Sequence, residues 1–151
     1  AASHEYQVSR YLGKPLCLLV MDIDYFKTIN DTYGHQIGDD ALKHYVSLCS
    51  QKLRSSDLLG RIGGEEFALL MPDTSPLTAI EFAESIRELV KTSPLVTRKA
   101  KITFTVSIGV STLLIDGDFK YMLEKADQAM YRAKRLGRDQ VQVCKKTIES
   151  R

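Results

Sequence analysis

The chain has 151 residues, 44% of them hydrophobic and 26% charged, a balance that suits one domain with a sizeable core and excludes a disordered tail or a collagen-like fibre. Twenty-one Lys and Arg against nineteen Asp and Glu leave a formal net charge of +2. That is too even for a protein that grips a nucleic acid backbone by bulk charge, so any anionic ligand must be held locally.

The start Ala1-Ala2-Ser3, without an initiator Met, suggests a piece of a longer protein. His4 to Leu12 reads as the end of a helix stopped by Gly13 and Pro15. Residues 1–14 are expected to be a partial N-terminal helix or an appended remnant, 15–144 the folded domain and 145–151 a frayed tail. Leu16 to Met21 is continuously apolar and breaks at Asp22, as in a strand covered on both faces. The run is far too short for the roughly 20 residues that span a bilayer, and no signal peptide precedes it, so a soluble domain without membrane contact is expected.

Ala41, Leu42, Tyr45, Val46, Cys49 and Leu53 recur at helical spacing over Asp39–Leu53. Leu58-Leu59 and Phe67–Met71 flank Gly63-Gly64, which predicts a β-hairpin turning on the two glycines. Ser75-Pro76 is an N-cap followed by proline at the first helical position, and Ala79, Ile80, Ala83, Ile86 and Val90 continue a second helix. Ile102, Phe104, Val106, Ile108 and Val110 alternate with small or polar residues, predicting one strand with one buried face. Met122, Leu123, Ala126, Met130 and Ala133 mark a third helix stopped by Gly137, and Val141 with Val143 a short last strand. The order β, α, hairpin, α, β, α, β predicts an α/β (α+β) fold, a mixed central sheet flanked by helices.

Four groups of residues can carry chemistry. Asp22 and Asp24 crowd carboxylates at a strand end, where they are either solvated turn residues or a site for a divalent cation. In Arg61-Ile62-Gly63-Gly64-Glu65-Glu66-Phe67 a turn without side chains leaves room for a phosphate or ribose. Alternation along the following strand would send Glu65 and Glu66 to opposite faces. Asp39 is an ordinary helix N-cap or, with Asn30, a guanine reader, since an Asp accepts the N1 and exocyclic amino hydrogens. Lys134 and Arg138 either answer a helix dipole or clamp phosphates. His35 falls in an apparent loop, and no phosphate-binding GxxxxGK[ST] or GxGxxG run occurs. Cys17, Cys49 and Cys144 form no CxxC pair, which fits a reduced compartment.

Asp22-Ile23-Asp24-Tyr25-Phe26-Lys27, Ile29-Asn30-Asp31, Tyr33-Gly34-His35, Gly38-Asp39, Arg61 and Gly63-Gly64-Glu65-Glu66-Phe67 together resemble the GGDEF family of diguanylate cyclases. Ser107–Val110, Ala126–Tyr131 and Ala133–Arg138 continue the match, from about Pro15 to Val143. The resemblance implies a fold similar to nucleotidyl cyclases and the polymerase palm, with a ferredoxin-like core. It implies condensation of two GTP into cyclic di-GMP and two pyrophosphates, in a transient homodimer in which each domain holds one GTP. Asp22, the carbonyl of Ile23, Glu65 and Glu66 would hold Mg²⁺ or Mn²⁺, two ions per site. Asn30 and Asp39 would read guanine. Lys27, Lys134, Arg138 and the backbone N–H groups near Tyr25 and Phe26 would hold the triphosphate, beside Gly63 and Gly64. Glu65 is the first choice for assisting deprotonation of the 3′-hydroxyl, with Glu66 and Lys27 completing the catalytic set.

Arg54-Ser55-Ser56-Asp57 resembles the family's RxxD inhibitory site for cyclic di-GMP, with Arg87 as the second arginine. Glu65 stands where the family name has Asp, which keeps the carboxylate. The family's Asp-x-Leu-Thr-Gly-Leu-x-Asn-Arg-Arg stretch is missing from residues 1–14. The expected setting is cytoplasmic, in a parent with an upstream sensory domain. The rival reading is a non-catalytic receptor for GTP or cyclic di-GMP.

Overall fold

The computed structural model describes residues 14–112 and 118–144. The helix expected at His4–Leu12 and the tail expected at 145–151 lie outside them. The elements are β1 (Leu16–Ile23), α1 (Phe26–Tyr33), α2 (His35–Ser50), β2 (Leu58–Gly63), β3 (Glu66–Pro72), α3 (Pro76–Thr92), β4 (Leu95–Val96), β5 (Lys101–Ile102), β6 (Val106–Thr112), α4 (Phe119–Arg135) and β7 (Val141–Val143). The main sheet has the order β2-β3-β1-β6-β7. Its first four strands pair antiparallel, and β7 adds parallel to β6. Strands β1, β2, β3 and β6 with α2 and α3 form the expected ferredoxin-like core, and α4 with β7 extends it.

β1 is central and every one of its residues is buried. Because a strand's side chains alternate, Cys17, Leu19, Met21 and Ile23 enter one core with α1, α2 and α3, while Leu16, Leu18 and Val20 meet Met122, Ala126 and Met130 of α4. Two covered faces explain the unbroken apolar run. Within the larger core Tyr45 is fully buried, donates its hydroxyl to Met21 Sδ at 3.0 Å and packs on Phe67 at 5.3 Å. Ser75 caps α3 as expected, its hydroxyl accepting from the Thr78 amide at 3.2 Å. Burial pushes the Cys17 and Cys49 thiols up to about 12 and about 11, so both are inert packing groups.

Several sequence expectations need correction. β1 runs two residues past Met21, so Asp22 lies inside the strand, opposite Glu66 of β3 and Ser107 of β6. α1 was not anticipated. α2 begins at His35 instead of Asp39, so His35 is helical and Asp39 lies in the helix interior, which excludes an N-cap role. The hairpin turns on Gly64-Glu65: Gly63 pairs with Glu66 and closes β2, and only Gly64 has a positive φ, +50°. The alternating stretch from Ile102 is two strands, with β5 paired to β4 outside the main sheet. β6 is buried on both faces over Val106–Ser111. No helix among the described residues is long and apolar enough to cross a membrane.

Candidate active site

Asp22 and Asp24 extend the even-numbered face of β1 beyond Val20, toward the C-terminal end of α4. There Lys134 donates to Asp22 Oδ1 at 2.9 Å, Asp24 Oδ1 at 3.1 Å and the Ile23 carbonyl at 3.4 Å. Asp24, whose side chain is fully buried, also accepts from Thr105 Oγ1 and Ser107 Oγ, both at 2.7 Å, and from the Asp139 amide at 3.0 Å. A carboxylate with this many donors is structural: Asp24 ties β1 and β6 to α4 and the loop after it. The two acids of the Asp-Ile-Asp run are therefore unequal, and Asp22 is the one at the rim.

The hairpin tip packs beside this strand end, with the Ile23 amide 3.4 Å from the Glu65 carbonyl. Arg61 Nε donates to the Gly64 carbonyl at 2.8 Å and braces the turn. Since Glu65 is a turn residue, the alternation rule does not govern it. Glu66 does obey the ladder and shares its face with Asp22. Burial, then a hydrogen bond that the protonated Glu66 carboxyl donates to the Asp127 carboxylate, and the charges of Asp127, Asp22 and Glu65 push the Glu66 carboxyl up to about 7. Burial, offset in part by Lys134, raises Asp22 above the ordinary carboxylate range, with Glu65 and Asp24 adding to the rise. Asp127, on α4, is a member of this acidic group that residue spacing did not single out. The Ala-Asp-Gln-Ala motif around it was the available signal.

Among the described residues no three acidic, histidine or cysteine side chains close on one point at metal spacing. The donor set nevertheless fits a hard divalent cation. The chain's own ammonium group already sits between Asp22 and the Ile23 carbonyl, and oxygens that hold Lys134 suit Mg²⁺ or Mn²⁺.

Tyr25 joins β1 to α1 with a left-handed φ of +58° and supplies no side-chain cap. The first amides of α1, from Phe26 onward, thus receive no side-chain cap and follow directly on the strand end, and uncapped helix amides are suited to phosphate oxygens. Lys27 is exposed in this first turn. Arg138 stacks over the Tyr25 ring with its Cζ 4.6 Å from the centroid, and its buried Nε finds no hydrogen-bond partner among the described residues. Asn30 lies against Gly38, where an added Cβ would fall 1.7 Å from Asn30 Oδ1. Asn30 and Asp39 thus border the same α1–α2 contact.

The RxxD residues are not a free surface pair. Asp57 is fully buried and Arg54 only half exposed. Arg54 Nη2 donates to Asp57 Oδ1 at 2.7 Å, Thr74 Oγ1 at 2.6 Å and the Pro72 carbonyl at 3.2 Å. Arg87 is engaged elsewhere, with Glu84 at 2.8 Å and Asp139 at 2.8 Å.

The model of the diguanylate cyclase GGDEF domain matches residues 2–140. The chain belongs to the GGDEF family of diguanylate cyclases. It is 42% identical over 132 residues to response regulator PleD of Caulobacter vibrioides, covering 85% of this chain and 29% of that protein. It is 40% identical over 134 residues to diguanylate cyclase A of Treponema denticola, covering 88% of this chain and 36% of that one. The chain thus spans about a third of the length of these relatives. Among solved structures, the GGDEF domain of DgcB from Caulobacter crescentus in complex with c-di-GMP superposes with a TM-score of 0.91 at 32% identity, covering 95% of this chain and 85% of that one. The active GGEEF domain of a diguanylate cyclase from Vibrio cholerae gives 0.89 at 32% identity, covering 97% and 93%.

The raised Glu66 carboxyl has a measurable consequence for the GGDEF domain. Its affinity for protons is higher folded than unfolded, so folding takes up a proton between the ordinary value of 4.5 and about 7. Metal-free stability therefore falls as pH rises through that window. Glu66→Gln is expected to reduce the fall, leaving the part due to Asp22, and to raise Tm in chelator at pH 8 by about 2–4 °C after allowance for solvent access, with the gap closing below pH 4.5. A pH-independent gap would show that Glu66 does not carry the shift.

Proposed function

We propose that this domain condenses two GTP molecules into cyclic di-GMP. The 3′-oxygen of each nucleotide forms a bond to the α-phosphorus of the other as that phosphorus loses its bond to pyrophosphate, so two pyrophosphates leave. The observation that carries the reading is the convergence of Asp22 on β1, Glu65 and Glu66 at the hairpin, and Asp127 and Lys134 on α4 beside the open amides of α1. Asp22, the Ile23 carbonyl, Glu65 and Glu66 would hold two Mg²⁺ or Mn²⁺ ions. Bound there, they supply Lewis-acid neutralisation of charge growing on the phosphates. Glu65, held in the turn outside the ladder, takes the 3′-hydroxyl proton.

Lys27, the first amides of α1 near Tyr25 and Phe26, Lys134 and Arg138 bind and orient the triphosphate, next to Gly63 and Gly64. Asn30 and Asp39 read the guanine edge, which would make ATP a poor substitute. One domain supplies one nucleotide, so the reaction requires two domains face to face in a transient homodimer, in the cytoplasm, with an upstream sensory segment controlling their encounter. The test is incubation with GTP and Mg²⁺ over a range of protein concentrations, with products separated by mass. Cyclic di-GMP is expected, with a rate per domain that rises with concentration. GTP binding without any cyclic product would favour a receptor.

Arg54 and Asp57 are proposed as the inhibitory product site, supported by their place before the hairpin and by the part of the Arg54 guanidinium left exposed. Their internal bonding changes what a mutation reports. Arg54→Ala strips the buried Asp57 of its charged partner while leaving the backbone amide of residue 54, 2.8 Å away. It is expected to cost about 1–3 kcal/mol in urea unfolding. Arg54→Lys keeps a cation without the two-pronged geometry. It is expected to weaken inhibition by added cyclic di-GMP, and unchanged inhibition would remove the assignment.

A further inference from the structure

After α4 ends at Arg135, three consecutive residues take left-handed backbone angles: Gly137 at φ +124°, Arg138 at +63° and Asp139 at +49°. Glycine adopts this freely, but an arginine followed by an aspartate does so only when the surroundings hold them. The bend has a clear result. It returns the chain so that the Arg138 amide bonds the Ala133 carbonyl at 2.9 Å and its guanidinium lies over Tyr25, beside the start of α1.

Two kinds of contact hold the bend. On the inner side the Asp139 amide donates to Asp24 Oδ2 at 3.0 Å, the same carboxylate whose other oxygen holds Lys134. On the outer side the Asp139 carboxylate is gripped by two cations from α3, Arg87 Nη1 at 2.8 Å and Lys91 Nζ at 3.0 Å. Arg87 is 19% exposed and fixed in turn by Glu84 at 2.8 Å and Glu88 at 3.5 Å. Its spacing on α3, one turn before Lys91, puts both on the side that faces the bend. A solvated surface pair would hold little. Here the pair is partly buried, networked, and attached to the strained residue itself.

We infer that Arg87, assisted by Lys91, is a positioning residue for nucleotide binding. Through Asp139 it keeps the 137–139 bend closed, which sets Arg138 over Tyr25 and completes the donors on Asp24, the carboxylate that also holds Lys134. This rests on the cyclase reading for its kinetic consequence but not for its structural one. Arg87 acts at one remove, by fixing Arg138 and Lys134, the two groups the cyclase reading gives to the triphosphate.

The test uses Arg87→Ala, Arg87→Lys and Asp139→Asn with two readouts. The first is the Arg138 Nε–H proton resonance in ¹⁵N-labelled protein without nucleotide, which the Tyr25 ring should displace from the ordinary arginine position. The second is the split between KM for GTP and kcat. Arg87→Ala is expected to return the Arg138 resonance toward its ordinary position and to raise KM about tenfold, with kcat changing less. Arg87→Lys should recover most of both, and Asp139→Asn, which keeps the amide bond to Asp24, should reproduce the Ala effect at smaller size and serve if Arg87→Ala does not fold. An Arg138 resonance unmoved in both Arg87→Ala and Asp139→Asn overturns the proposal. So does a loss of kcat and KM that tracks Tm and is not rescued by lysine. If the wild-type protein forms no cyclic product, the cyclase reading fails, while the resonance still decides whether Arg87 holds the bend.

Discussion

Asp22→Ala is expected to reduce cyclic di-GMP formation from GTP by at least about 10³-fold, the scale of losing a group that organises charge at the reacting phosphate. The side chain occupies the one place where strand β1, hairpin and α4 meet: opposite Glu66 in the ladder and 2.9 Å from Lys134. Asp24, the carboxylate just past the end of the strand, does not stand in for it, because it is consumed by Thr105, Ser107 and the Asp139 amide. The fold should survive. Lys134 keeps Asp24 as a partner at 3.1 Å, and removing Asp22 relieves part of the repulsion that raises Glu66. Initial rates with purified protein, accompanied by a melting curve, separate loss of chemistry from loss of structure. A rate within tenfold of wild type would remove Asp22 from the cation site. Glu65→Ala, from the other segment, is expected to show the same loss.

Gly109→Ala is expected to be among the most damaging single-methyl additions available in this chain. A Cβ at Gly109 would fall 2.1 Å from the Ala126 carbonyl oxygen and 2.3 Å from the Met130 amide nitrogen. Both are helix backbone atoms, so no side chain can swing aside, and α4 must lift from the sheet. The cost is about 3 kcal/mol or more, a fall in Tm of about 6–12 °C for a domain of this size. Because the lifted helix carries Asp127 and Lys134, GTP turnover at 20 °C should fall along with the melting temperature. Thermal unfolding by circular dichroism checks the first effect. A Tm within 2 °C of wild type would mean that the helix and strand do not touch as closely as described here.

Much of this fold is legible in residue order because its signals are local. The apolar run Leu16–Met21, the Ser75-Pro76 cap and the 3.6-residue stripes of α2, α3 and α4 each follow from the chemistry of a short segment. The motif residues Asp22, Gly63, Gly64, Glu65, Glu66 and Lys134 were likewise visible in the family pattern. What failed did so for identifiable reasons. β6 alternates Val, Ile and Val with Ser, Gly and Ser, which reads as one wet face. Those small residues are in fact buried, since Ser107 donates to Asp24, Ser111 donates to the Met122 carbonyl and Gly109 admits the backbone of α4. Small size, not polarity, is what those positions require. The hairpin slipped by one residue because Gly63-Gly64 and Gly64-Glu65 are both plausible turns, and only pairing with β3 decides between them.

Residue order alone revealed most of the elements, though not α1 or β4, together with the family the chain resembles and the acids and bases available, because periodicity, capping and motif spacing act over a few residues. How those groups divide the work depends on long-range packing. Asp24 became a buried strut because Thr105, Ser107 and the Asp139 amide all close on its carboxylate, while Asp22, which shares Lys134 with it, stayed at the rim. Arg54 was anchored to the Pro72 carbonyl, and Arg87 turned to Asp139, because contacts between residues 18 and 52 positions apart depend on packing that no local pattern encodes.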